Sequence, residues 1–262
     1  MPIRAAVRIE RHPFMLPHRH LAAAQAHAAL GEVAAALAQL DAVDASAAGQ
    51  RTARFSARAN NTRAFILRNL GAAEAADACN TAAYESSLQQ PGMGEPIADA
   101  LHGLADGRLR AGDLDAATQL LRREEHEAPS PRLFTWRHSL RRRLLAGRIA
   151  LARGEDRLAL AAAQEVLTSA AALPLPRYLT LARLLAAAAE SPSPTEIAAD
   201  VAALDRFAVL EAWWLTEELA RRLDSTELGE LAARHRARAA AWAREASLPQ
   251  ETLPARRSRR TG

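Results

Sequence analysis

The sequence predicts an all-helical fold, a right-handed α-solenoid of about five to six antiparallel helical hairpins stacked side by side. Hydrophobic residues make up 49% of the chain and aromatic residues only 4%, and much of the hydrophobic share is alanine. Alanine and leucine lose least on entering a helix. Alternating runs of β-branched or aromatic residues, which would predict strands, are absent. Four glycines recur at a nearly constant spacing.

These glycines predict the turns of the first four hairpins. Successive members of the set are 40, 41 and 42 residues apart, which gives a period of about 41. Each glycine closes one apolar helical stretch and opens another. At a helix C-terminus glycine supplies a positive φ, and the acidic residue that follows three of the four favours a new helix N-terminus. The glycines are Gly31, Gly71, Gly112 and Gly154.

Small residues stand at fixed distances on both sides of each glycine. Two facing helices cross closely only where side chains are small, so this register indicates antiparallel hairpins. Seven residues before the glycines stand Ala24, Ala64, Ala105 and Gly147, and five residues after them stand Ala36, Ala76, Ala117 and Ala159.

Two further hairpins have different turn chemistry. Ser193, with Pro194 after it and Glu196 three residues on, is typical of a capping box, and the segment that begins with Asp224 and Ser225 repeats this logic. The predicted hairpins are 18–45, 54–88, 96–128, 131–172, 177–206 and 208–247, with breaks at 90–94, 129–131 and 174–176. The predicted domain organisation is an irregular arm at 1–17, a helical repeat domain at 18–248 and a disordered basic tail at 249–262. The hairpins are expected to form an elongated array.

This pattern resembles the tetratricopeptide repeat (TPR). The small residue, the glycine seven residues after it and the alanine five residues after the glycine match positions eight, fifteen and twenty of that repeat. The longer period is similar to that of the sensor repeats at the C-terminus of large bacterial ATPase-type regulators (the LuxR-like and maltose-regulator group) and of multidomain cyclases. The resemblance implies a TPR-like fold and a role in binding proteins, peptides or small inducers. The P-loop, cyclase domain and DNA-binding helix-turn-helix of those proteins are not recognisable in the sequence.

The same resemblance implies that the first helix of each hairpin lines a concave face. Such a polar and cationic surface could hold an acidic or extended peptide through charge-assisted bonds; the alternative is that these are ordinary solvated residues. The candidate binding residues are Gln25, Asn61, Phe65, Arg68, Asn69, His102, Asp106, Arg110, Arg141 and Arg148.

Trp213 and Trp214 are adjacent on a predicted helix, so they face directions about 100° apart. We expect Trp213 to fill the terminal core together with Trp242, and Trp214 to be partly exposed as a docking aromatic. Cys79 falls among apolar positions and is predicted to be a buried, inert thiol.

An arginine run along the predicted helix at 137–153 is interpreted as a salt-bridge lattice, with a binding patch for an acidic partner as the alternative. The run consists of Arg137, Arg141, Arg142, Arg143, Arg148 and Arg153, and the acids expected to balance it are Glu124, Glu125, Glu127, Glu155 and Asp156.

The basic character of the chain lies at its end. The 34 basic residues, all arginine, face 30 acidic ones, and four of the arginines (Arg256, Arg257, Arg259 and Arg260) stand in the last seven residues. The remaining 30 basic and 30 acidic residues balance. Nucleic acid is therefore expected to bind weakly at most, through this tail. A single cysteine and the lack of a long apolar run indicate a cytoplasmic bacterial protein without a membrane span.

No catalytic motif, dinucleotide fingerprint or metal-ligand spacing occurs, and the N-terminal histidines do not converge on one point. We therefore expect no enzyme activity, no cofactor and no metal. The leading hypothesis is a protein- or peptide-binding scaffold in bacterial signalling or regulation. The alternative is a ligand-sensing domain that lacks its effector domain, and it predicts an enclosed cavity.

Overall fold

The computed structural model describes residues 15–48, 53–128, 134–171, 175–191 and 193–246. All regular secondary structure in these ranges is helical, so the predicted all-helical class is confirmed. The helices are α1 (Leu16–Leu30), α2 (Val33–Ala48), α3 (Ala53–Asn69), α4 (Ala73–Leu88), α5 (Gly94–Ala111), α6 (Leu114–Glu127), α7 (Thr135–Arg153), α8 (Asp156–Ala171), α9 (Pro176–Glu190), α10 (Pro194–Phe207), α11 (Ala212–Arg222) and α12 (Thr226–Glu245). Each predicted hairpin contains two of them.

The four repeat glycines end α1, α3, α5 and α7 in the left-handed conformation, as the sequence predicts. Their φ angles are 78°, 88°, 83° and 79° in chain order. The residue after each glycine donates its N–H back across the turn, for example from Asp113 to the carbonyl of Arg108 at 2.9 Å. These bonds satisfy carbonyls that would otherwise be unpaired at the helix end.

The eight small residues that flank the glycines are all buried, which confirms their predicted role in close helix crossing. In the fourth hairpin the helices leave almost no space for a side chain at Gly147. A Cβ atom added to Gly147 would lie 2.6 Å from Cδ2 of Leu185 and 3.0 Å from Cβ of Ala162. A larger side chain would therefore force α7 away from α8 and α9.

The last two hairpins start on serine caps. Pro194 occupies the first turn of α10, and the Glu196 carboxylate accepts a bond from the backbone N–H of Ser193 at 2.7 Å. Ser225 caps α12, where its Oγ accepts from the N–H of Leu228 at 3.4 Å. Both serines were the expected N-caps.

The odd-numbered helices form one continuous inner layer. Each helix packs against the next in sequence, and α1 contacts α3, α3 contacts α5, α5 contacts α7, α7 contacts α9 and α9 contacts α11. The even-numbered helices pack outside this layer. Adjacent hairpins therefore lie side by side in the described part of the chain, an arrangement that is compatible with a repeat array.

The array closes on itself instead of extending, which corrects the expected elongated shape. Helix α12 contacts α2, and Ala239 and Ala243 share an apolar cluster with Leu21 of α1. The indole N–H of Trp213 donates to the backbone carbonyl of Asn69 at 2.7 Å. The last hairpin thus packs against the first two, and the inner layer encloses a central space.

Within the described ranges no helix is both long and apolar enough to cross a membrane. The predicted arm at 1–17 lies outside the described residues except at its end, where Leu16 and Pro17 already belong to α1. The predicted break at 129–131 and the basic tail at 249–262 lie outside them entirely.

Candidate functional site

The inner layer encloses a central cavity of about 580 Å³. Side chains from all six odd-numbered helices line it, together with the connection between α10 and α11. Phe134 and Trp136 belong to this lining, yet they are 51% and 42% exposed, so they mark the edge where the cavity meets solvent. The cavity is the candidate functional site, because every hairpin contributes to it.

Part of the lining is aliphatic and comes from the later helices. Leu144 and Leu151 of α7, Leu184 of α9, and Leu215 and Leu219 of α11 line the cavity and have little other exposure. The regular 3.6-residue period places these leucines on the inner face of each helix. A ligand that contacts them buries apolar surface, which favours binding by about 25 cal/mol for each Å².

Asp99 of α5 is the centre of one charged cluster in the lining. Nη2 of Arg137 donates to it at 2.6 Å, Nη1 of Arg141 at 3.0 Å, and Nε2 of His138 lies 3.5 Å away. Burial opposes ionisation of this carboxyl, but Arg137, His138 and Arg141 together hold its pKa well below the usual value. Asp99 is therefore a carboxylate, and it fixes two guanidinium groups at the cavity wall.

Glu95 lies one helical turn before Asp99 and belongs to the same wall. Its Oε2 accepts from Arg54 at 3.2 Å, while Oε1 lies 3.6 Å from Arg58 and 3.7 Å from Arg137. Oε1 is buried and has no hydrogen bond. The two acids of α5 thus sit behind arginines that reach in from α3 and α7.

Asp106 repeats this arrangement two turns further along α5. It accepts from Arg148 at 2.7 Å and from Arg110 at 2.9 Å, and these two arginines also stack on the ring of Trp214, at 3.8 Å and 4.4 Å from its centroid. Burial, reinforced by the neighbouring cations Arg148 and Arg68, lowers the pKa of Arg110 to about 10. Burial is the largest cause of this shift, and the Asp106 carboxylate opposes it.

Arg177 joins α9 to α11 at a third charged position. Its Nε and Nη2 each donate to one carboxylate oxygen of Glu211 at 2.8 Å, and its guanidinium lies 5.6 Å from the ring centroid of Phe65. Burial disfavours the charged form, but Glu211 outweighs it and raises the pKa of Arg177 above the usual value. This bidentate pair is locally neutral.

Six of the ten predicted concave-face residues line the cavity, three are buried beneath its surface, and Arg110 is partly buried beside it. The lining residues are Gln25, Asn61, Phe65, Asp106, Arg141 and Arg148. The other four are Arg68, Asn69, His102 and Arg110. The expectation that all ten face an open groove is therefore wrong for Arg68, Asn69 and His102, which are buried.

Their contacts explain the difference. Arg68 donates to Asn80 at 2.7 Å and lies 3.3 Å from Asp77 of the neighbouring helix. His102 is fully buried, with its ring 3.7 Å from Glu124 and no hydrogen bond on either nitrogen. Burial lowers the pKa of His102 to about 4, so the ring is neutral at pH 7. Both residues hold helices together and are unavailable to a ligand.

Trp214 is not exposed, which corrects its assignment as a docking aromatic. Its side chain is buried, and its indole N–H donates to Oδ1 of Asn69 at 3.1 Å. Trp213 is the half-buried member of the pair, and Trp242 packs at the closure beside Gly31. Cys79 is half-buried, and burial raises the pKa of its thiol, which favours the inert form.

The arginine run of α7 forms the predicted salt-bridge lattice, with a different set of acids. Arg142 pairs with Glu124 and Glu125 as expected. The remaining arginines pair with Asp99, Asp106, Asp115 and Glu165, none of which was expected to balance the run. Glu127 instead accepts from Arg123 and Tyr84, and Asp156 pairs with Arg222.

Sequence reasoning missed three acids and three arginines of the wall, which are Arg54, Arg58, Glu95, Asp99, Arg177 and Glu211. A signal for part of this set was present. Arg54 precedes Glu95 by 41 residues, and Asp99 and Asp106 precede Arg141 and Arg148 by 42. Opposite charges one repeat apart on the inner helices predict contacts between adjacent hairpins.

Compared with protein-family models, with curated proteins and with solved structures, the chain matches none. In the described part of the chain no three histidine, cysteine, aspartate or glutamate side chains converge as a metal site requires. The cavity offers fixed guanidinium groups, an aliphatic surface and an opening edged by two aromatic rings.

Proposed function

We propose that this chain is a non-catalytic binding protein, a TPR-like α-solenoid closed on itself, whose central cavity holds one small ligand. The observation that carries the proposal is the cavity of about 580 Å³, lined by every inner helix. Small-molecule sites typically measure about 300–1,000 Å³ and combine an apolar lining with a few fixed polar groups. Both properties are present here.

Of the two roles that the sequence left open, the cavity favours ligand sensing. An extended peptide needs an open groove that runs along the inner helices. Here the ends of that groove are joined, because Trp213 and Trp214 of α11 bond to Asn69 of α3. A compact ligand fits this half-open cavity better than an extended chain does. The effector that would respond to such a ligand is proposed to reside on another chain.

Binding of the neutral dye Nile red tests the proposal, because its emission rises and shifts to the blue in an apolar site. We expect one dye per chain. The variant Ala29→Trp places an indole in the cavity from a position that is exposed on its wall. It should weaken dye binding by about tenfold or more.

Ala198→Trp is the matched control, because Ala198 is an exposed alanine on α10 outside the cavity. It should bind the dye like the unmodified chain. Equal dye affinity in all three proteins would show that the dye binds elsewhere and would refute the proposed function.

A further inference from the structure

The charged groups around Glu95 and Asp99 are exposed unequally: the two acids are covered, and their arginines are more exposed. Glu95 has 1% of its side chain exposed and Asp99 has 10%, whereas Arg137 has 29%, Arg141 has 25% and Arg58 has 17%. A molecule in the cavity therefore meets guanidinium groups first. The carboxylates serve as their buried counterions.

The asymmetry lies in exposure, and the numbers of opposite charges in the lining are equal. Six guanidinium groups contact three carboxylates of α5, and the pair Arg177–Glu211 adds one of each. Glu218 adds one more carboxylate from α11. Arg54 and Arg110 do not line the cavity, so its described lining holds five arginines against five acids, and the two counts balance. The three carboxylates of α5 are Glu95, Asp99 and Asp106, and the six arginines in contact with them are Arg54, Arg58, Arg110, Arg137, Arg141 and Arg148.

We propose that the ligand is an amphipathic oxyanion, a carboxylate or phosphate monoester with an aliphatic body. Arg58, Arg137 and Arg141 form its head-group site. This inference rests on the proposed function and specifies the chemical class of its ligand. Guanidinium is suited to both head groups, because its N–H donors match the spacing of two oxygens on a carboxylate or phosphate.

The three arginines are held in place before a ligand arrives. Arg137 and Arg141 are bonded to Asp99 at 2.6 and 3.0 Å, and Arg58 lies 3.6 Å from Glu95. Fixed donors lose less conformational entropy on binding than free surface arginines do. The leucines of α7, α9 and α11 line the rest of the cavity and offer apolar surface to the aliphatic body.

Displacement of Nile red by four ten-carbon compounds tests this inference on the intact chain. Decanoate, decyl phosphate, decanol and decyltrimethylammonium share one body and differ in head-group charge. We expect decanoate and decyl phosphate to displace the dye at concentrations about tenfold lower than decanol, with the cation weakest. The ratio of the two anions then distinguishes a carboxylate site from a phosphate site.

Arg141→Gln gives the residue-level test. Asp99 keeps Arg137 as its partner in this variant, so the fold is expected to persist. Arg143→Gln is the matched control on the same helix, because Arg143 pairs with Glu165 and Ser139 outside the cavity. Arg141→Gln should weaken decanoate by about tenfold and leave decanol within about twofold, whereas Arg143→Gln should change neither.

The outcomes separate the two proposals. If decanol or the cation displaces the dye as well as decanoate does, the oxyanion inference fails while the cavity proposal stands. Equal decanoate affinity in Arg141→Gln and in the unmodified chain also overturns it. If Nile red binds at the cavity but none of the four compounds displaces it, the amphipathic class itself is wrong. If Arg141→Gln does not fold, Arg58→Gln takes its place, since Glu95 retains Arg54.

Discussion

Trp214 and Asn69 are 145 residues apart in the sequence, and the indole N–H of the tryptophan donates to Oδ1 of the asparagine at 3.1 Å. The same oxygen accepts from Nη2 of Arg110 at 2.9 Å, and the backbone carbonyl of Asn69 accepts from Trp213 at 2.7 Å. Asn69 is almost fully buried. One side chain thus ties the second, third and sixth hairpins together.

Removal of this side chain should destabilise the closed array. Asn69→Ala leaves the Trp214 N–H and an Arg110 N–H without their acceptor, and each unsatisfied buried donor costs about 1–3 kcal/mol. We expect a loss of about 3 kcal/mol in the free energy of unfolding, measured by urea denaturation with circular dichroism. Asn60→Ala on the same helix removes a partly buried amide that accepts one bond from Arg63, and it should cost less than about 1 kcal/mol. Equal costs would refute the role assigned to Asn69.

Two helical glycines should respond in opposite directions to alanine. A Cβ on Gly103 would lie 2.2 Å from Oδ1 of Asn80, a buried amide that is bonded to Arg68 and Asn61. Gly103→Ala should therefore destabilise the protein by about 2–3 kcal/mol. Gly229 of α12 has nothing within 4 Å of its added Cβ, so Gly229→Ala should stabilise by about 0.5–1 kcal/mol through helix propensity. Thermal unfolding of the two variants measures both changes in stability.

Acidification should destabilise the protein through His102. Its pKa is about 4 in the fold and about 6.5 in an unfolded chain, so between these values the unfolded state binds more protons. The contribution of neutral His102 to the free energy of unfolding is complete above pH 6.5 and is lost as the pH falls towards 4. Between pH 7 and pH 5 the loss should be about 2 kcal/mol. Asp99 and Asp106, whose folded pKa values are depressed, lose their contributions only at lower pH.

His102→Gln should remove most of this dependence, as measured by urea unfolding at pH 7 and pH 5. His126→Gln is the control, because His126 is exposed on α6. A chain that keeps its full pH dependence without His102 would show that another group titrates in this window.

Two arginines of α9 should differ strongly in their contribution to the free energy of unfolding. Arg177 makes a bidentate bond to Glu211, whereas Arg183 lies 3.4 Å from Asp200 and is 57% exposed. Arg177→Met leaves the Glu211 carboxylate buried without its partner and should cost about 2–3 kcal/mol. Arg183→Met should change stability by no more than about 0.5 kcal/mol. Denaturation of both variants in parallel checks the difference, and similar values would contradict the importance given to the α9–α11 bridge.

The sequence allowed the repeat unit to be predicted but not the way in which the units close. Gly31 and Ala24 or Ala36 act within one hairpin, so their spacing is visible in the sequence. The contact between Trp214 and Asn69 depends on small rotations that accumulate over several hairpins. No local sequence pattern shows the total rotation over six hairpins. The sequence therefore predicted an open, elongated array, and the contact between the last helices and the first could not be predicted from it.

Helix periodicity explains why only part of the cavity lining could be predicted from the sequence. Counting along a regular helix places Asn61, Phe65 and Asp106 on the inner face, and they do line the cavity. The same count cannot distinguish a residue that faces the space from one that packs beneath it, as His102 does. The contributions of α9 and α11 were missed because their hairpins lack the glycine that set the register.

The contact of α12 with α2 has a consequence for how this chain can change in evolution. An open array gains or loses a hairpin at either end with little disturbance, since each unit touches only its neighbours. Here a seventh hairpin, or the loss of one, would separate Trp213 from the carbonyl of Asn69 and leave both edges uncovered. We therefore expect related chains to vary in their loops and outer helices while keeping the number of hairpins fixed.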